Sequence, residues 1–252
     1  MAPLNLATRN GPGPALLLIH GFPLDNRLWD AVVARLPPSL HILLPDLPGM
    51  GKSPLSPEIR TIDDYARALL SLLDEQKIAK VTVAGHSMGG YIALAMQRQA
   101  PDRIRGIALV SSRSLPDSEE GRKTREATAQ RAEKEGPGFL VATMPEKAAG
   151  AAPPPGVIDT LRTIMGAANG AGVAAASRAM ASRADATPHL GRIACPVVVF
   201  AGRQDKIVPA AESEAMAKAI PGAKLVWCET SGHVPMLEQP DLVARELAAP
   251  AT

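Results

Sequence analysis

The sequence predicts an α/β fold: a mostly parallel sheet flanked by helices, with a helical cap inserted into it. Three observations lead there. Short apolar runs alternate with amphipathic stretches of helical period along most of the chain. Each run is apolar throughout, as a strand covered on both faces must be, rather than alternating with polar residues. From Ser114 to Pro188 the rhythm breaks, and that segment holds no convincing strand.

Ala15 to His20 (ALLLIH) reads as the first buried strand and ends at Gly21. Leu28 to Leu36 is a short helix, stopped by Pro37-Pro38 because proline has no N–H to give a helix. Leu40 to Leu44 is the next strand. Ile62 to Gln76 carries Ile62, Tyr65, Ala66, Leu69, Leu70, Leu72 and Leu73 on helical spacing, and Asp63 and Asp64 suit its N-terminal turn. Val81 to Ala84 is a strand, Gly89 to Gln99 a helix closed by Pro101, and Ile104 to Val110 a strand again. In the inserted segment, Ser118 to Glu135 is a charged, exposed helix, and Phe139 to Met144 is more apolar. Val157 to Ala168 and Gly172 to Ser182 are further helices, and Ala149 to Gly156 is a turn between helices rather than a disordered linker. Strands at Val197 to Ala201 and Lys224 to Cys228 follow, separated by a helix at Ala210 to Ala219. A last helix runs from about Asp241 to Leu247. The expected division is a core domain of residues 1–113 and 189–252 and a helical cap, or lid, of residues 114–188.

Composition bounds the function. The 252 residues are 46% apolar and 21% charged, enough for a sizeable core without disulfides. A formal net charge of +2 is too small to imply nucleic acid or an anionic membrane as partner. No run approaches the roughly 20 apolar residues of a membrane span. The segment from Met1 to Pro14 has no apolar signal core, so a cytoplasmic location is expected. Cys195 and Cys228 read as small buried side chains without metal-ligand spacing. A monomer or small homo-oligomer is expected.

Ligands of such sheets bind beyond the carboxyl ends of the strands. There the sequence places Gly85-His86-Ser87-Met88-Gly89, directly after one strand and opening a helix. A G-x-S-x-G pattern alone is weak; at a strand-to-helix turn it is strong. The residues two before and two after the serine must be tiny, and Gly85 and Gly89 are. The turn also sets Ser87 at a helix N-terminus, where free N–H groups favour negative charge.

Around this turn the chain resembles the α/β-hydrolase superfamily over nearly its whole length. The matching pieces are His20-Gly21-Phe22-Pro23, Asp46-Leu47-Pro48-Gly49-Met50-Gly51-Lys52-Ser53, the turn at Ser87, Gly202-Arg203-Gln204-Asp205-Lys206-Ile207-Val208-Pro209, and Gly232-His233. The resemblance implies an α/β-hydrolase fold, with Ser87 as nucleophile, His233 as general base and Asp205 as the acid that orients it, in this fold's usual order. It implies oxyanion donors at the backbone N–H groups of Phe22 and Met88. His20 is expected to brace the loop, and Asp46 to hold the D-x-P-G-x-G turn. Trp29, Phe139, Met144 and Val208 are candidate pocket lining, and Arg113, Arg178 and Arg183 are candidates for a substrate carboxylate.

A serine nucleophile implies acyl transfer on a small-molecule ester or lactone. The resemblance is to small bacterial carboxylesterases and the 3-oxoadipate enol-lactonase group, so a carboxylesterase is favoured, with an enol-lactonase acting on a dicarboxylate-derived lactone second. A C–C bond hydrolase, a perhydrolase, or a non-catalytic ligand-binding receptor on the same fold are the rival readings. No His, Asp or Glu grouping resembles a metal site, and no phosphate-binding Gly-rich pattern occurs, so no metal and no cofactor are expected.

Overall fold

Seven strands form one sheet in the computed structural model, which describes residues 3–249. They are β1 (Leu6–Arg9), β2 (Ala15–Ile19), β3 (His41–Pro45), β4 (Val81–His86), β5 (Ile104–Val110), β6 (Val197–Gly202) and β7 (Lys224–Cys228), in the order β1-β3-β2-β4-β5-β6-β7. All neighbouring pairs are parallel except β1 with β3. This is the mostly parallel sheet expected from the sequence.

Period two along each strand divides the core into two layers. Leu17, Ile19, Leu43, Val83, Leu109 and Val199 point to one face. There they meet α2 (Ile62–Glu75), α3 (Met88–Gln99) and Met216. Leu16, Leu18, Ile42, Leu44, Ala108 and Phe200 point to the other. That face is covered by Val32 of α1 (Asp30–Val33) and by Leu161, Met236 and Val243. The continuous apolar runs are thus explained: β2 to β6 are buried on both sides along most of their length.

Between β5 and β6 the chain forms α4 (Glu119–Glu135), α5 (Gly138–Val141), α6 (Met144–Ala148), α7 (Val157–Gly166), α8 (Gly170–Ala181) and α9 (Thr187–Leu190), and no strand among the described residues. Ser118 caps α4 by accepting the Gly121 N–H at 3.1 Å, and Asn169 caps α8 likewise. Helices α4 and α8 lie against each other, with Ala129 and Ala132 of α4 and Val173 and Ala176 of α8 all buried and Ala132 clustered with Val173. The N-terminus of α8 presses on the loop after β3: a Cβ on Gly172 would overlap the Gly49 carbonyl. The boundary at 188 passes through α9, which packs on α10 (Ala210–Ala219) of the core side.

The 149–156 turn is stitched to the core. Gly150 N–H donates to Glu238 and Ala151 N–H to Gln204. The chain closes with α11 (Pro235–Glu238) and α12 (Pro240–Ala248). The helix expected over Leu28 to Leu36 is a 3₁₀ turn (Asn26–Trp29) running into the four residues of α1. Strand β1 was not expected: its four residues are partly exposed, and its order comes from pairing with β3. No helix among the described residues is long and apolar enough to cross a membrane.

Candidate active site

The strand register sets where the site lies. Ile19, Gly85 and Leu109 stand side by side in β2, β4 and β5, and Val110 pairs with both His86 and Phe200. The chain segments leaving these strands therefore emerge at one edge of the sheet. Ser87 is the first residue past β4, at φ 51° and ψ −111°. A non-glycine residue held at positive φ costs about 1–3 kcal/mol and persists only where its surroundings impose it. Here they do. The Ser87 N–H donates to Val110 O at 2.8 Å, and its carbonyl accepts from Gly90 N–H and from Ser112 Oγ, both at 2.9 Å. Gly85 and Gly89 allow the turn to close, since a Cβ on Gly85 would strike the Gly89 backbone and one on Gly89 would strike the end of β2.

Asp205 follows β6 and His233 follows β7, and their side chains meet: His233 Nδ1 to Asp205 Oδ2 is 2.8 Å, with both groups buried. The other carboxylate oxygen accepts the N–H groups of Ile207 at 2.7 Å and Val208 at 2.9 Å, so Asp205 cannot swing away. With the carboxylate accepting, Nδ1 carries the proton and Nε2 keeps its lone pair. The Ser87 hydroxyl makes no hydrogen bond among the described residues; in unliganded sites this contact is commonly long and tightens with substrate.

His86 links the two halves. Its Nε2–H donates to the His233 carbonyl at 2.8 Å, and the two rings lie edge to face with centroids 4.8 Å apart. Burial, reinforced by the neighbouring His233, holds the His86 pKa well below the ordinary histidine value, so the ring stays neutral. In the G-x-S-x-G pattern His86 is a variable position, and its hold on the His233 loop emerges only from the fold.

Glu238 is a second residue that the sequence reading missed. Its buried carboxylate accepts Gly150 N–H at 2.7 Å and Gly232 N–H at 2.8 Å. It thereby ties the helical insertion to the residue before His233. Burial raises the Glu238 carboxyl above the usual range, against the pull of backbone N–H groups. The His233 N–H completes this tie by donating to Ala148 O at 2.6 Å.

On the opposite side of Ser87 lies the loop after β2. Among the described residues neither the Phe22 N–H nor the Met88 N–H has an acceptor. The Phe22–Pro23 bond is cis. His20 braces this loop: its Nδ1–H donates to Gly21 O and its Nε2 accepts Leu47 N–H, both at 2.9 Å. Burial lowers the His20 pKa, in keeping with the neutral ring those bonds require. Asp46 accepts from Asn5, Asn26 N–H and Lys52 N–H, and so holds the turn that follows β3.

The pocket residues divide. Phe139 and Met144 gather with Phe22, Leu140 and Val173 in a small apolar cluster under the insertion. Trp29 does not line a pocket: it is 0% exposed, packed with Leu28 and Val32 in the core. Val208 is also buried, its N–H spent on Asp205. The arginines are committed elsewhere. Arg178 is held on the outside of α4 by Glu126 and Glu133, while Arg113 and Arg183 converge on Asp117. A cavity of about 270 Å³ bordered by Tyr91, Arg98, Arg113 and His189 lies on the flank of α3, and Ser87 does not border it.

A sheet of this order with a strained serine after its central strand defines an α/β hydrolase. Residues 16–246 match the alpha/beta hydrolase family, and the chain belongs to that family. It is 30% identical to a pimeloyl-[acyl-carrier protein] methyl ester esterase from Chromobacterium violaceum, over 94% of each chain. Among solved structures it is similar to a thermophilic esterase from Thermogutta terrifontis with malate bound, at TM-score 0.93 and 37% identity over 97% of this chain and 92% of that one. It is also similar to the enol-lactonase from Burkholderia xenovorans LB400, at TM-score 0.88 and 26% identity over 97% and 94% of the two chains. The chain is accordingly an esterase-type α/β hydrolase.

Proposed function

We propose that this chain is a serine hydrolase that cleaves carboxylic esters of small acyl substrates through an acyl-enzyme. The Asp205–His233 pair, tied through His86 to the strained turn of Ser87, carries the reading. Ser87 Oγ attacks the ester carbonyl as His233 Nε2 takes its proton, and Asp205 stabilises the imidazolium that forms. The oxyanion of the tetrahedral intermediate receives the N–H groups of Phe22 and Met88, each worth about 10²–10³ in rate. His233 returns the proton to the departing alcohol. A water molecule, deprotonated by the same nitrogen, then releases the acid. Phe139 and Met144 form apolar walls for the acyl group, and the insertion between β5 and β6 acts as its cap.

A lactone is the second substrate class, favoured by the similarity to the enol-lactonase and chemically equivalent at the carbonyl. The test is Ser87→Ala assayed on 4-nitrophenyl butyrate, with the fold checked by circular dichroism. Turnover is expected to vanish, together with labelling by a fluorophosphonate. Residual activity above about a thousandth of wild type in a folded variant refutes the assignment.

A further inference from the structure

We infer that Arg125 is a specificity-determining residue that recognises a carboxylate on the acyl part of the substrate. The inference rests on the hydrolase reading above and adds a substrate class to it. Arg125, Ala129 and Ala132 share one stripe of α4, at the spacing that puts side chains on a single helical face. The two alanines are fully buried against α8, and Ser177 Oγ of α8 donates to the Arg125 carbonyl at 2.8 Å. The stripe therefore faces inward, and Arg125 is its charged member.

At the end of this stripe the Arg125 guanidinium lies over the ring of Phe22, 6.0 Å from its centroid. Phe22 supplies one proposed oxyanion donor, so the cation overlooks the loop that receives the acyl carbonyl. The guanidinium is held there by its Nε–H, which donates to Asp117 Oδ2 at 3.1 Å. Asp117 is itself immobilised by Arg113 at 2.7 Å and Arg183 at 2.9 Å. Asp117 and Glu212 are the two carboxylates this group of three guanidiniums shares, which leaves one positive charge uncompensated. Among the described residues neither terminal nitrogen of Arg125 has an acceptor, and both stay in reach of solvent.

Those features are what a carboxylate requires: a planar fork fixed in orientation, with open N–H groups and a partly desolvated approach across an aromatic face. An acyl chain with its carbonyl oxygen at the Phe22 N–H runs along the Phe22 ring. A carboxylate at its far end then meets the free side of Arg125. Arg178, by contrast, has both of its terminal nitrogens occupied by glutamates.

Mono-4-nitrophenyl adipate and 4-nitrophenyl hexanoate differ in the distal carboxylate and test this directly. Arg125→Ala is expected to lower the ratio of kcat/KM for adipate over hexanoate about tenfold or more, chiefly through KM for adipate. Arg125→Lys should recover part of the ratio, since it restores the charge without the fork. Arg122→Ala, an exposed position on the same helix, should leave the ratio within about twofold. An unchanged ratio in Arg125→Ala, or wild type that turns over hexanoate and not adipate, overturns the inference while leaving the hydrolase reading intact. Wild type that hydrolyses neither ester and is not labelled at Ser87 overturns the hydrolase reading instead. Should Arg125→Ala not fold, Arg125→Gln gives the same comparison.

Discussion

Replacing Asp117 by Asn would remove the charge that holds three arginines. The Asp117 and Arg183 side chains are 3% and 4% exposed, so Arg183 would be left as a buried cation with no counter-charge. Such an orphaned partner costs about 3–5 kcal/mol. Arg113 and Arg125 are 21% and 26% exposed and reach water more easily, so each adds at most about 1 kcal/mol. The total is about 3–7 kcal/mol, and for a chain of this size about 2–4 °C is lost per kcal/mol, so the variant should melt about 6–28 °C below wild type. The pH dependence supplies a second check. Burial alone would raise the Asp117 pKa, but the hydrogen bond and charge of Arg183, with Arg125, outweigh it and hold the group below its ordinary value. A carboxylate depressed in the folded state contributes stability above its unfolded pKa of about 3.9 and loses it only as pH falls towards the folded value. The gap between wild type and variant should thus stay constant from pH 8 to pH 5. Thermal unfolding followed by circular dichroism measures it. A shift below about 3 °C, or a gap that closes before pH 5, refutes the reasoning. Adding Arg183→Met to the variant should restore part of the loss, because the buried charge is then gone.

Two further perturbations separate the acid proposed to orient His233 from the tie made by Glu238. Asp205→Asn should keep the fold yet lower kcat on 4-nitrophenyl butyrate about 10³–10⁴-fold, because an amide can present its NH₂ to His233 and fix the wrong tautomer; a loss under tenfold would place the acid elsewhere. Glu238→Gln keeps size but can satisfy only one of the N–H groups of Gly150 and Gly232. It should cost about 1–3 kcal/mol and lower kcat more than it raises KM, since the turn before His233 slackens. Unfolding and steady-state kinetics on the same preparation measure both, and a variant unchanged in both would show the tie to be dispensable.

Much of the architecture was legible because local pattern and global burial agree. Apolar runs such as Ala15–Ile19 and residues 107–110 of β5 are buried on both faces, and a run without polar residues has few other places to go. The capped helix Ile62–Glu75 could be placed from its stripe and its acidic first turn, where Thr61 and Asp64 form a capping box. Strand β1 was illegible because its order comes from β3, not from its own four residues. Trp29 was a candidate for the pocket lining; the packing of the sheet's other face claimed it instead.

At the candidate site the division is sharper. Sequence spacing set Ser87, Asp205 and His233 after three separate strands, and the demand for tiny neighbours at the turn was met by Gly85 and Gly89. That much follows from the chain order, since residues leaving adjacent parallel strands emerge at one edge of a sheet. Contacts between distant segments do not follow from it. That Asp205 reaches His233, that His86 and Glu238 hold the turn around it, and that Arg125 rather than Arg178 or Arg183 faces Phe22 depend on how the insertion lies against the sheet. These pairings join residues up to 147 positions apart. Their geometry is set by packing of the whole chain, which no local periodicity encodes.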